Sequence, residues 1–301
     1  MLPRPMDPGP TAPPRRVLVV ANPISGRGRG ARAAETLVRG FEQRGIAVES
    51  RLTRARGDAT RMSASAGPHD LVVAVGGDGT LSEVLLGLRE RSTPVGLLPC
   101  GTANVLAHAL GLPADPARAL DVFLAGRTRG LDVARVGERY AHLVVGVGFD
   151  ARVVREVEAR RTGPITKAAY FGAALRAFPW RRPVPLRVWI DGRELPRHFG
   201  MVWIANTPKY ADLLQLARET RVDDGLWEVY LFPSARLAEL ASALVRGLVA
   251  HLPGGAITMQ RAREVRVEAE QPVPYQVDGD AGGETPCALA LLPERFRLVV
   301  P

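Results

Sequence analysis

The chain reads as a doubly wound α/β domain followed by a mostly antiparallel β domain. Three observations lead to that reading. Between Val17 and Leu110, apolar strand-like runs alternate with helical stretches. Three of those runs end in glycine-bearing loops. After about Gly130 the texture changes to short alternating segments separated by hairpin signals. Strands alternating with helices predict a parallel sheet, with ligands held at the carboxyl ends of its strands. Short, regularly spaced strands predict antiparallel pairing.

The elements follow in order. Residues 1–14 carry Pro3, Pro5, Pro8, Pro10, Pro13 and Pro14 and are expected to form a disordered tail. The first domain, 15–130, has expected strands over 17–21, 46–52, 71–75 and 95–98. Helices are expected at about 31–44, 58–66, 81–88 and 103–110, the last stopped by Gly111 and Pro113. The second domain, 131–293, shows strand-like runs at 131–136, 141–147, 186–190, 199–205, 226–232, 264–269 and 288–292. Asp191-Gly192 and Val136-Gly137-Glu138 supply hairpin signals. Helical stretches are expected at 164–178 and 234–252. The second places Leu237, Leu240, Ala241, Leu244 and Leu248 against the β domain, with membrane docking as the rival use. Pro179-Trp180-Arg181-Arg182-Pro183 suits an interfacial anchor and an interdomain loop equally.

At 301 residues the chain is long enough for two cores. No apolar run approaches the roughly 20 residues that span a bilayer. The proline- and arginine-rich start lacks the apolar segment of a secretory signal. Cys100 and Cys287 have no metal-ligand spacing and suit a reducing compartment, so a cytoplasmic location is expected. The net charge of +9 comes almost wholly from arginine, since Lys167 and Lys209 are the only lysines. Scattered solvated arginines and a membrane-facing basic patch both fit that charge. Nucleic acid fits less well, because no RNP-type strand, zinc finger or basic heptad occurs.

The segment Leu71–Thr80 carries the most chemistry. A β-branched run buried on both faces leads into Gly76-Gly77-Asp78-Gly79-Thr80. Its glycines remove the Cβ atoms that would keep a ligand from the backbone N–H groups. Thr80 and Glu83 have capping-box spacing, which would aim a helix N-terminus at the loop. Asp78 then stands inside an anion site. A carboxylate beside phosphate repels it unless a cation lies between, which points to magnesium and a nucleotide polyphosphate.

The first loop, Asn22-Pro23-Ile24-Ser25-Gly26-Arg27-Gly28-Arg29-Gly30, occupies the equivalent place after strand 17–21. Gly28 to Ala33 also satisfies the dinucleotide fingerprint G-x-G-x-x-A, with Glu49 near the ribose position. Six residues between Ala21 and Gly28 are too slack for that tight turn, and that reading leaves Gly76–Thr80 unused. No P-loop sequence occurs. A purely structural glycine turn remains open at this loop. In the third loop, Pro99-Cys100-Gly101-Thr102-Ala103-Asn104, Thr102 has a helix cap as its plain role. Three such loops on one sheet edge favour a polyphosphate site.

These motifs, in this order and spacing, resemble the diacylglycerol kinase catalytic-domain family, which includes bacterial soluble lipid kinases, sphingosine kinases and ceramide kinases. Gly146-Val147-Gly148-Phe149-Asp150, Asp223-Asp224-Gly225 and Val277-Asp278-Gly279-Asp280 extend the likeness over nearly the whole chain after the tail. The resemblance implies a nucleotide-binding α/β domain and a β-sandwich-like lipid domain, with about 294–301 returning to the first. It implies an ATP- and magnesium-dependent kinase acting on a lipid at a membrane surface, peripheral and cytoplasmic, with a homodimer possible. Asn22, Ser25, Gly26, Gly76, Gly77, Gly79, Thr80, Gly101, Thr102 and Asn104 would surround the nucleotide. Asp78 would act with the catalytic magnesium or as base. Asp278 would be the general base, with Asp280 at the family's glutamate position. Asp223 and Asp224 would hold a structural magnesium, and Asp150 would lie near the lipid head group.

Two departures bear on the acceptor side. Asp280 is one methylene shorter than glutamate, and Ala211-Asp212 stand where paired glycines are usual, with Arg218 in place of a common proline. Taken alone, Val277-Asp278-Gly279 and Asp223-Asp224-Gly225 also read as turns. The alternatives are an NAD kinase, which shares the Gly-Gly-Asp-Gly loop, and a catalytically weak lipid-binding regulatory protein.

Overall fold

The computed structural model describes residues 13–65, 67, 69–160, 172–174, 176–177, 183–210 and 213–301. Most of the tail, most of the helical stretch 164–178, the Trp180–Arg182 segment and the Ala211-Asp212 departure lie outside them. The chain divides into two compact units, one reaching to Val133 and resuming at Pro293–Pro301, the other spanning Ala134–Leu292.

In the first unit, β1 (Arg16–Ala21), α1 (Ser25–Glu42), β2 (Ala47–Leu52), α2 (Asp58–Ala64), β3 (Leu71–Gly76), α3 (Asp78–Gly87), β4 (Pro94–Pro99), α4 (Val105–Leu110), α5 (Pro116–Ala125) and β5 (Thr128–Leu131) follow one another. The sheet runs β2-β1-β3-β4, then the C-terminal strand Phe296–Val299, then β5. The C-terminal strand is parallel to β4 and antiparallel to β5. All six β3 residues are buried, as an apolar strand covered on both faces requires. Leu37, Phe41 and Phe123 pack beside Val17, Val19, Val73 and Val75; each buried side chain of this size contributes about 1.5–3 kcal/mol. Arg295 donates to the buried Asp132 (2.6 Å), tying the returning segment to the end of β5.

Helix α1 begins about six residues before its expected start, and α3 and α5 differ more consequentially. Helix α3 begins at Asp78 with Gly77 as an extended N-cap, three residues before the expected start. Thr80 therefore lies inside the helix and forms no capping box. The Glu83 carboxylate instead accepts from the N–H groups of Gly57 and Ala59, at the start of α2. Helix α5 is additional, although Asp115-Pro116 is a legible start: Asp115 accepts from Arg118 N–H (3.0 Å) with proline at the first helical position.

In the second unit, β6 (Ala134–Val136), β7 (Arg139–Ala141), β8 (Val144–Val147), α6 (Phe149–Ala159), β9 (Leu186–Ile190), β10 (Arg193–Glu194), β11 (Met201–Ala205), β12 (Lys209–Tyr210), β13 (Leu214–Gln215), β14 (Trp227–Phe232), α7 (Leu237–Val249), β15 (Thr258–Ala262), β16 (Glu264–Ala269), β17 (Pro274–Val277), β18 (Asp280–Glu284) and β19 (Cys287–Leu291) are described. Two antiparallel sheets, β10-β9-β16-β19-β6-β7 and β15-β14-β11-β8-β17-β18, share one core. Val188, Val267 and Leu289 from one sheet meet Val145, Ile204 and Trp227 from the other. This is a β-sandwich.

Helix α7 also departs from expectation. Only Ala243 and Gly247 are buried, while Leu237, Leu244, Val245, Leu248 and Val249 are 62, 45, 57, 49 and 80% exposed. Gly247 sits over Leu214, so the helix touches the β domain through small side chains and the half-buried Leu240 and turns its other branched side chains outward. Among the described residues no helix is long and apolar enough to cross a membrane.

Candidate functional site

The glycine loops of the first unit leave the carboxyl ends of β1, β3 and β4, three adjacent parallel strands. Hydrogen bonding joins them at the root: Asn22 N–H donates to Val75 O (2.9 Å) and Cys100 N–H to Gly76 O (2.7 Å). Further out, glycine lets the backbones touch. A Cβ on Gly101 would lie 2.6 Å from Gly77 Cα, and one on Gly26 would collide with Cys100 O. Gly26, Arg27 and Gly28 take three successive positive φ values of 59, 63 and 86°, bending the entry to α1 around Cys100. The structure thus brings Asn22, Ser25, Gly26, Gly76, Gly77, Gly79, Thr80, Gly101, Thr102 and Asn104 to one sheet edge.

The side chains sort themselves within that edge. Thr80 packs on Gly76. Thr102 is exposed and caps nothing, because α4 begins at Val105 with Asn104 at its N-cap in left-handed conformation. Asn104 donates to Gly101 O (2.9 Å), while its buried Oδ1 has no partner. A buried acceptor left open at a glycine cradle suits a bound group carrying donors, as a nucleotide base or ribose does. Asp78 is 8% exposed and caps α4: its carboxylate accepts from Val105 N–H (3.0 Å) and Leu106 N–H (3.3 Å). Each oxygen keeps lone pairs beyond those bonds. Magnesium takes one or two carboxylates and completes its shell with water and phosphate. Asp78 fits such a shared ion, although among the described residues no cluster of three or more potential ligands occurs.

In the second unit the structure brings Asp150 and the Asp278 hairpin together through a residue that sequence reading passed over. Asp150, in the first turn of α6, accepts from Tyr210 Oη (3.1 Å) and Gln276 Nε2 (3.3 Å) through one oxygen, and its other oxygen is buried without a partner. Gln276 is 1% exposed, and its Oε1 accepts from Gly279 N–H (2.8 Å). Gly146 leaves the space that the Asp150 carboxylate fills, which explains the spacing of Gly146 and Asp150. Tyr210 stacks on Trp203 with ring centroids 4.3 Å apart. Gln276 was detectable only as an amide inside an otherwise apolar strand.

Asp278 and Gly279 take positive φ values of 51 and 90° at the tip of the β17–β18 hairpin, so the turn reading of this motif holds as structure. The Asp278 carboxylate accepts from the N–H groups of His142, Leu143 and Val144, each 2.9 Å away, and lies 3.0 Å from His142 Nδ1. Burial pushes its carboxyl up, but the charge and hydrogen bond of His142 and the backbone donors outweigh it and hold the group below its usual range. Such a carboxylate is a weak proton acceptor. Asp280 is half-buried in β18.

Asp223 and Asp224 do not fit a structural magnesium. Arg221 grips Asp223 at 3.1 and 3.3 Å. Asp224 accepts from Leu226 N–H (3.1 Å) and has Arg261 Nη1 at 3.8 Å. The neighbouring acid Glu228 is fully buried, with Arg261 Nη2 3.2 Å away. Each of the two aspartates is already paired with a guanidinium group, the charge partner a dication would otherwise be.

Asp150 has a measurable signature. Burial pushes its carboxyl up to about 6, only partly offset by Gln276 and Tyr210. The stability this group contributes is complete below its unfolded pKa and is lost as pH rises through the folded value. The wild-type chain is expected to lose on the order of 3 kcal/mol from this group between about pH 4 and pH 7.5. Urea unfolding of Asp150→Asn should lack that component; an identical pH dependence in both proteins would contradict it.

Comparison with known proteins agrees with this arrangement. Residues 16–136 match the diacylglycerol kinase catalytic domain, and residues 143–300 match the YegS C-terminal NAD kinase beta sandwich-like domain. A diacylglycerol kinase of Bacillus subtilis (strain 168) is 28% identical over 295 residues, covering 95% of this chain and 97% of its own. One from Staphylococcus carnosus (strain TM300) is 27% identical, with 95% of each chain covered. The crystal structure of a diacylglycerol kinase from Bacillus anthracis str. Sterne superposes with a TM-score of 0.74 at 19% identity, over 97% of this chain and 98% of that one. With matched domains covering nearly its whole length and the glycine loops in place, the chain belongs to the diacylglycerol kinase family of lipid phosphotransferases.

Proposed function

We propose that this protein is an ATP- and magnesium-dependent lipid kinase that transfers the γ-phosphoryl group to a hydroxyl of a diacylglycerol-like or sphingoid-like lipid. The observation that carries the reading is the mutual contact of three glycine loops at adjacent strand ends. Phosphoryl transfer needs positioning and charge compensation more than covalent chemistry. The backbone at Asn22, Ser25, Gly26, Gly76, Gly77, Gly79, Thr80, Gly101 and Thr102 supplies a close polar surface for phosphates, and Asn104 an open acceptor. Asp78 would hold magnesium, which when bound offsets charge on the phosphoryl oxygens.

The acceptor hydroxyl has a pKa far above 7, so a carboxylate must orient it and take its proton late in transfer. In this reading Asp280 meets the hydroxyl, while Asp278 holds the hairpin that presents it. Asp150, with Tyr210 and Gln276, binds the polar head of the lipid.

The lipid would be met at a membrane, to which the protein attaches peripherally. The outward face of α7 is apolar, and its one acid, Glu239, is bound to Ser234 N–H (3.0 Å) and to the Ser234 hydroxyl. Exposed Arg236 and Arg246 and the net charge of +9 favour an anionic lipid surface as the occupant of that face.

Transfer of labelled phosphate from ATP to diacylglycerol, sphingoid base, ceramide and polyprenol in mixed micelles tests the activity; failure with every lipid would overturn it. In the same assay Asp280→Asn should lower turnover by about a hundredfold or more with an unchanged melting temperature. Asp278→Asn should lower both, because two of the four donors would face an amide NH2 in place of an acceptor oxygen. The reverse pattern would return the base to Asp278. For attachment, a Leu244→Glu/Leu248→Glu variant should no longer sediment with phosphatidylglycerol vesicles that retain the wild type. Undiminished sedimentation would contradict the assignment, and a wild-type dimer broken by the variant would give the face to a second copy.

A further inference from the structure

The Asp223-Asp224 turn leads into β14, where Glu228 stands directly opposite Arg261 of β15 in the strand pairing. That register fixes the Arg261 guanidinium, which also donates through Nη2 to Glu219 O (3.2 Å). It therefore meets three groups at once: the Glu228 carboxylate (3.2 Å), the Asp224 carboxylate (3.8 Å) and a backbone carbonyl. Carboxylates and a carbonyl around one cation are also what a hard divalent ion seeks. Glu228 has no side-chain exposure and its oxygens make no hydrogen bond of good geometry, so its nearest compensation is this guanidinium. On the other side of the turn, Arg221 forms its two-pronged pair with Asp223. Removing a charge from such a group leaves the remaining buried charge without compensation, which is strongly destabilising.

We propose that Arg261 supplies, from within the chain, the positive charge that a structural magnesium would bring to the Asp223-Asp224 turn, so that this part of the sandwich is stable without metal. The position is a tethered cation, insensitive to chelators and to the free magnesium concentration. Because folding is read without nucleotide or lipid, the inference stands or falls separately from the kinase reading.

The test is thermal unfolding of the full chain and of Arg261→Gln and Asp224→Asn, each in EDTA and in millimolar magnesium or calcium chloride. Metal content of the dialysed wild type is measured beside it. The wild type should carry no stoichiometric metal, and its melting temperature should move by less than about 1 °C between the two buffers. Arg261→Gln should melt on the order of 5–10 °C lower in EDTA and recover part of that loss with added divalent ion. Should Arg261→Gln fail to fold, the wild-type metal content and chelator response decide the matter alone. A wild type that holds one metal ion after dialysis, or melts several degrees higher in magnesium with the shift abolished by Asp224→Asn, would overturn the proposal.

Discussion

The approach of backbone to backbone at the carboxyl ends of β1, β3 and β4 sets what the first unit can do. Parallel strands about 4.8 Å apart bring the loops that follow them into the same small volume. Ordinary side chains would hold those loops apart. Glycine at 26, 77 and 101 lets them close until main chain meets main chain. The surface that results consists of peptide groups rather than side chains, as close contact with phosphate requires. Asp78 depends on the same closeness, because it reaches from α3 to the start of α4 only where those loops meet.

The second unit solves a different problem. An apolar interior excludes charge, yet the side chains of Asp150, Asp278 and Glu228 are all buried, outside the apolar cluster that the two sheets share. Each has its own arrangement. Asp278 is surrounded by donors and stays below its usual pKa, while Asp150 has fewer and rises. Glu228 is pushed up to about 7 by burial, against the pull of Arg261. Gln276 connects the first two by bonding Asp150 with one end and the Asp278 hairpin with the other. Asp150, Gln276 and the Asp278 hairpin thus form one polar assembly on the face of the sheet opposite the apolar core, into which Val145, Val147 and Val277 point.

Much of this was legible in residue order. Leu71–Val75 and Val17–Ala21 announced buried parallel strands, and the glycines after them announced loops that approach closely. Residue roles were less legible, because hydrogen-bond partners come from distant segments. Nothing near Asp78 signals that its carboxylate will cap a helix 27 residues on. Nothing near Glu83 shows that it serves α2 and not its own helix. The Asp278 turn was readable from Asp-Gly, but its donors from residues 142–144 were not. Helix α7 looked like a packing helix because periodicity reports an apolar face without saying whether anything covers it.

Closure of the loops rests on glycine at their contacts, and at Gly101 the loop after β4 meets Gly77 of the loop after β3. Titration calorimetry of a non-hydrolysable ATP analogue with magnesium against Gly101→Ala tests it most directly. The added Cβ would stand 2.6 Å from Gly77 Cα and 2.7 Å from Asn104 Oδ1, forcing the loops apart. Affinity should fall at least about tenfold, a loss of about 1.4 kcal/mol. An unchanged affinity in a folded variant would contradict the claim that these loops hold the nucleotide.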